Sequence, residues 1–132
     1  MFKFARFPGK GRGYESRASI RRSGQIGFNT GSVMHYNLTD FHIVNLHYDD
    51  ANKAIGIELI EEGGDGTECT MIHRPGNTYI AAKTFFDWFQ IPLAEGTSRY
   101  KLWKDDASGF LIIELDKPIK KKGGQQQDIE AD

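Results

Sequence analysis

Leu46-His47-Tyr48-Asp49-Asp50-Ala51-Asn52-Lys53-Ala54-Ile55-Gly56-Ile57-Glu58-Leu59 holds two β-rich runs joined by a polar turn, and 56 residues later the chain repeats the plan as Leu102-Trp103-Lys104-Asp105-Asp106-Ala107-Ser108-Gly109-Phe110-Leu111-Ile112-Ile113-Glu114-Leu115. Leu46, Asp49, Asp50, Ala51, Ile55, Ile57 and Leu59 fall on Leu102, Asp105, Asp106, Ala107, Leu111, Ile113 and Leu115. Turn meets turn and apolar position meets apolar position. Asp and Asn favour tight turns because their side chains bond nearby backbone N–H groups, so each copy reads as a β-hairpin.

Working outward, each hairpin is preceded by a similar set of signals. Arg17 to Arg22 and Gln25 to Phe28 flank Ser23-Gly24 and predict a hairpin. Thr30 to Asn37 carries Val33, Met34 and Tyr36 at helical spacing, enough for two turns. Phe41 to Tyr48 and Ala54 to Ile60 then form the acidic-tipped hairpin. A polar stretch, Glu61-Glu62-Gly63-Gly64-Asp65-Gly66, offers nothing to bury and reads as a loop. Beyond it Thr67 to Arg74 and Asn77 to Ile80 predict a hairpin across Pro75-Gly76, Ala82 to Phe89 a helix, and Arg99 to Lys104 with Phe110 to Leu115 the last hairpin. Ile20, Arg22 and Gly24 match Ile72, Arg74 and Gly76; Val33, Tyr36, Asn37 and Leu38 match Phe86, Phe89, Gln90 and Ile91. The expected fold is α+β and β-rich: two related ββαββ units packed as a pseudo-dimer. Its expected divisions are a basic, glycine-rich arm (1–14), one domain of two repeats (15–62 and 67–117), and a polar tail (118–132).

The 132 residues suffice for one compact core. The single cysteine, Cys69, cannot form an internal disulfide, which favours a reducing compartment. No apolar run approaches twenty residues, and Met1-Phe2-Lys3-Phe4-Ala5-Arg6 is not a signal-peptide pattern, so the expectation is a cytoplasmic protein without a membrane partner. The net charge of −1 hides a division along the chain. Residues 1–22 set seven basic residues against Glu15 alone, a charge of +6; residues 23–116 carry −8, and the tail from Lys117 +1. A basic arm on an acidic body suits a polyanionic partner.

Patterns that would carry catalysis have ordinary structural explanations. Asp49-Asp50 and Asp105-Asp106 sit at hairpin tips, where Asp serves the turn. His35, His42, His47, His73 and Cys69 follow no zinc spacing. Gly9-Lys10-Gly11-Arg12-Gly13 has no strand before it and no Lys-Ser/Thr opening a helix behind it, so it is not a phosphate loop. Cys69 and His73, four apart on a strand, lack an orienting acid. No catalytic residue, metal or cofactor is expected, and the protein is read as a non-enzyme.

The arm remains. Phe4, Phe7 and Tyr14 alternate with Lys3, Arg6, Lys10, Arg12 and Arg17, with Arg21 and Arg22 following. Cations that follow phosphates, with rings that stack on bases, bind single strands without sequence preference. Phe2 to Phe7 also has the alternation of an edge strand, with the glycines as linker.

Gly24-Gln25-Ile26-Gly27-Phe28-Asn29-Thr30-Gly31-Ser32-Val33-Met34-His35-Tyr36-Asn37-Leu38 resembles the swapped-hairpin DNA-binding proteins of the AbrB and MraZ type. Those run turn, alternating strand, short helix, then a hairpin with an acidic turn. Asn29 stands where that family usually has proline, and of the basic residues it presents to DNA only Arg21, Arg22 and Arg74 have counterparts. Read from Phe41 to Phe89 in the phase ββββα, the chain is also similar to the single-stranded-DNA-binding PC4 and Whirly fold. The resemblances imply a nucleic-acid-binding protein, for single- or double-stranded DNA with RNA also admitted, working as a homo-oligomer. The alternative is a virus- or plasmid-encoded structural or protein-interaction module whose arm serves assembly.

Overall fold

The computed structural model describes residues 1–4 and 15–119. Within them the chain runs β1 (Arg17–Ile20), β2 (Gln25–Phe28), α1 (Thr30–His35), a 3-10 turn (Leu38–Asp40), β3 (Ile43–Asp49), β4 (Ala54–Ile60), β5 (Cys69–Arg74), β6 (Asn77–Ala81), α2 (Lys83–Trp88), β7 (Ser98–Lys101), β8 (Trp103–Lys104) and β9 (Leu111–Glu114). The fold is β-rich: both helices have six residues, and one antiparallel sheet runs β7-β1-β2-β6-β5-β3-β4-β9-β8.

The sheet curls until its ends almost meet. β7 pairs with β1, placing Arg17 opposite Lys101, while β8 pairs with β9 through Trp103 opposite Ile112. Only Leu102 lies between β7 and β8, so one bent run serves both edges. Its N–H donates to the Ser16 carbonyl at 3.1 Å. Near the same seam Tyr100 bridges Pro118, and the Ile119 N–H reaches the Arg99 carbonyl at 2.7 Å. The strand expected over Arg99 to Lys104 is therefore two. Only its last residues pair with the Phe110 to Leu115 run, because a strand that turns the corner of a closing sheet must change partner.

Alternation decides what enters the core. Ala18, Ile20, Ile26, Phe28, Met71 and Ile80 point inward from one part of the sheet, and Val44, Ile55, Ile57, Leu111 and Ile113 from the other. The segments after β2 and β6 add Leu38, Phe86 and Ile91. At roughly 25 cal/mol per Å² of apolar surface removed from water, these side chains supply the main favourable term of folding.

Asn29 shows why α1 starts where it does. Buried at the end of β2, its Oδ1 accepts from the Ser32 N–H at 2.9 Å and from the Arg17 N–H at 3.1 Å, while its Nδ2 donates to the Glu15 carbonyl at 2.6 Å. One side chain thus caps the helix and fastens the start of β1, work that a proline could not do. Gly24, in the β1–β2 turn, has a φ of +87°, and a Cβ there would stand 2.7 Å from the Lys83 Cα, so both the backbone angle and the approach of α2 require glycine.

Candidate nucleic-acid interface

Residues that alternate with the core point outward. On β7 these are Arg99 and Lys101, flanking the inward Tyr100; on β1, Arg17 and Ser19; on β2, Gln25 and Gly27; on β6, Asn77 and Tyr79; on β5, Ile72 and Arg74. The registers set them side by side. Lys101 faces Arg17, Arg99 faces Ser19, Ser19 faces Gly27, Gly27 faces Tyr79, and Tyr79 faces Ile72. Directly opposed Cβ atoms in such ladders lie roughly 4.5–5.5 Å apart, so this is one continuous surface. Its outward strand positions carry arginine and lysine and no carboxylate.

Arg21, just past β1, folds back over that surface. Its guanidinium donates to Gln25 Oε1 at 3.0 Å and to Asn77 Oδ1 at 3.4 Å, and its Cζ lies 6.0 Å from the centre of the Tyr79 ring. Amide oxygens orient the guanidinium without neutralising it, and the ring adds a cation–π contact. The seat exists because position 27 has no side chain: a Cβ on Gly27 would collide with the Arg21 guanidinium.

The other predicted cations are placed less uniformly. Arg17 Nη2 holds Glu15 Oε1 at 2.9 Å, so its charge is partly countered. Arg22 lies exposed in the β1–β2 turn, 3.8 Å from Glu95. Arg74 is exposed at the β5–β6 turn, at the far end of the surface. Lys3 and Phe4 are exposed, the Phe4 ring 5.7 Å from that of Phe2, and Met1 to Phe4 forms no strand. Arg6, Phe7, Lys10, Arg12 and Tyr14 lie outside the described residues. Arg99 and Lys101 were not among the expected site residues. Their own alternation with Tyr100 shows that they share a face, but only the pairing of β7 with β1 brings that face beside Arg17.

The outer surface of the remaining strands has the opposite character. Asp49, Glu58 and Glu114 project from β3, β4 and β9; Glu58 meets His47 Nε2 at 3.0 Å, and Glu114 accepts from Trp103 Nε1 at 3.2 Å. Phe110 lies over Gly56 and stacks on His47, ring centres 4.5 Å apart.

The groups weighed for chemistry are engaged in the fold. Asp49 accepts from the Asn52 N–H and side chain at 3.2 and 2.7 Å, and Asp105 from the Ser108 N–H and hydroxyl at 3.0 and 2.7 Å. These bonds favour the charged form and hold both carboxyls below the usual carboxylate range. His73 is bound through Nε2 to the Phe41 carbonyl at 2.7 Å and through Nδ1 to Thr78 Oγ1 at 3.2 Å. Burial raises the Cys69 thiol above its ordinary pKa, the reverse of what a nucleophile needs. Among the described residues no three His, Cys, Asp or Glu side chains gather as metal ligands, and no helix is long and apolar enough to cross a membrane.

No protein-family model, no curated protein and no solved structure matches the chain.

Proposed function

We propose that the protein is a non-enzymatic nucleic-acid-binding module that holds a single strand across the outer surface of β7, β1, β2, β6 and β5. The observation that carries this reading is the set of registers that puts Lys101, Arg99, Arg17 and Arg74 on one sheet surface whose outward strand positions hold no carboxylate, with Arg21 folded back over it, in a chain whose net charge is −1. Tyr79, at its centre beside Arg21, supplies a ring for a base to stack on. The arm contributes four further cations to this proposal, Lys3, Arg6, Lys10 and Arg12.

The finer architecture belongs to this proposal: two ββαββ halves related by an internal two-fold axis, an arrangement akin to the swapped-hairpin DNA-binding proteins. Its support is local and specific. Outside the 61–66 loop the positive-φ residues fall in matched pairs: Gly24 with Gly76, Asn37 with Gln90, and Lys53 with Gly109. The Asp49–Asn52 and Asp105–Ser108 turn bonds match as well. Residues matched in the two halves also oppose one another, Gly27 with Tyr79 across β2 and β6, and Gly56 with Ile112 across β4 and β9. An axis through both ladders produces that pattern.

The test is a salt titration of fluorescent oligonucleotides, single- and double-stranded. Each phosphate contact on a single strand contributes roughly −0.7 to the slope of log K against log salt. The Arg74→Gln, Lys101→Gln double variant should flatten that slope by about 1.4. Deleting residues 1–13 should flatten it further. No salt-dependent binding by the full chain, together with a change of oligomeric state on deleting the arm, would overturn the reading in favour of an assembly module.

A further inference from the structure

At the end of the curled sheet that holds the acidic β3–β4 turn, a cavity of about 370 Å³ opens between that turn, the segment after α2, and the end of β9. Its volume is in the range of small-molecule sites and suits a ligand with one ring. Phe86, Tyr100 and Ile91, all core side chains, form its floor, and Tyr48 and Phe89, their rings 5.4 Å apart, form a wall. Its charged groups are Asp50, Asp116 and Lys53. Lys53 Nζ is held by Asp50 Oδ1 at 3.3 Å and also feels the charge of Asp116, which itself makes no ion pair within 4 Å among the described residues. The lining therefore has two carboxylates against one ammonium.

A cavity with aromatic rings on one side and a surplus carboxylate among its polar groups favours a cation attached to a ring. The ring replaces water on the floor, while the charge meets aromatic faces and a carboxylate together. The same surplus disfavours phosphates and carboxylic acids, so this cavity is not an extension of the basic surface.

We infer that this cavity binds a small arylalkyl ammonium compound, its ring on Phe86 and Tyr100 and its ammonium toward Asp116.

The probes are 2-phenylethylammonium, the neutral 2-phenylethanol and the anionic phenylacetate, titrated into the full chain with amide shifts of Gln90 and Ser98 as readout. The ammonium should bind about fivefold more tightly than the alcohol, and the acid more weakly than either. Asp116→Asn, at an exposed position that leaves the core untouched, should bring ammonium and alcohol within about twofold. Lys53→Met should tighten the ammonium about threefold by leaving Asp50 unpaired. Equal affinity for ammonium and alcohol, or no shift at Gln90 and Ser98 with any probe, overturns the inference. A chain lacking residues 1–4 provides one further control, because Phe2-Lys3-Phe4 carries the same chemistry. A tenfold gain in ammonium affinity on their removal would make the chain's own N-terminal segment the occupant and overturn a small-molecule ligand.

Discussion

Ile113 offers a quantitative test of how the sheet is phased. It has no solvent exposure and stands opposite Ile55, also fully buried, across the β4–β9 ladder. Truncation to alanine removes three carbons, about 2.4 kcal/mol of transfer free energy at roughly 0.8 per methylene. The cavity left behind adds to this, because a nearly closed sheet with side chains arriving from several strands relaxes only in part, and the total should be about 3–4 kcal/mol. For a folded body of this size each kcal/mol lowers Tm by about 4 °C, so Ile113→Ala should melt about 12–16 °C below the parent. Ile57→Ala should cost about the same, since Ile57 is equally buried and, in the proposed two-fold arrangement, is its counterpart. Ile112→Ala, one residue along and facing outward, should cost less than about 1 kcal/mol. Urea unfolding monitored by tryptophan fluorescence, with an unchanged m-value, supplies the comparison. If Ile112→Ala costs as much as Ile113→Ala, the inward and outward faces of β9 are misassigned, and with them the core.

The acidic turns predict an effect of pH. Hydrogen bonds hold Asp49 and Asp105 below their ordinary value of 3.8, so their folded pKa is lower than their unfolded one. What they add to turn stability is present above about pH 4 and is lost as pH falls through the folded value. The protection of the Asn52 and Ser108 amides relative to their intrinsic exchange should fall over that range, and in Asp49→Asn and Asp105→Asn variants that dependence should vanish; unchanged protection in acid would contradict the bonding described. Gly27→Ala should drive the Arg21 guanidinium off its seat while altering stability by less than about 0.5 kcal/mol. Loss of the Arg21 side-chain N–H signal from its bound position, with oligonucleotide affinity down about threefold, is expected, and unaltered affinity would remove Arg21 from the proposed interface.

Much of the β-structure was legible because its signals are local. Asp49 and Asp105 mark turns through bonds to residues three positions on, and the apolar positions matched between the copies, Ile55 and Ile57 with Leu111 and Ile113, are all core residues. The lengths of α1 and α2 were also close to expectation, since the apolar spacing in each covers only two turns. Long-range pairing was not legible. Nothing near Arg99 announces that its strand will lie against β1, and nothing near Leu102 announces that the strand must break there to change partner. The proposed interface depends on that pairing, so its border on the edge strand β7, Lys101 and Arg99, escaped a reading made along the chain. Nothing in the sequence around Gly27 announces that it is the space in which Arg21 lies.

The seam at β7 also governs when the molecule can come into being. Arg17 finds its partner in Lys101, more than eighty residues further on. Until that later strand has been synthesised, β1 has a bare row of N–H and C=O groups along one side, and a hairpin alone is marginal in water. Pairings of such long sequence separation form slowly, because the intervening chain loses its freedom before the contact rewards it. A nascent chain stopped before Ser98 would thus have most of its strands yet no closed sheet, and its unpaired edge would be open to any neighbouring strand, including that of another unfinished copy.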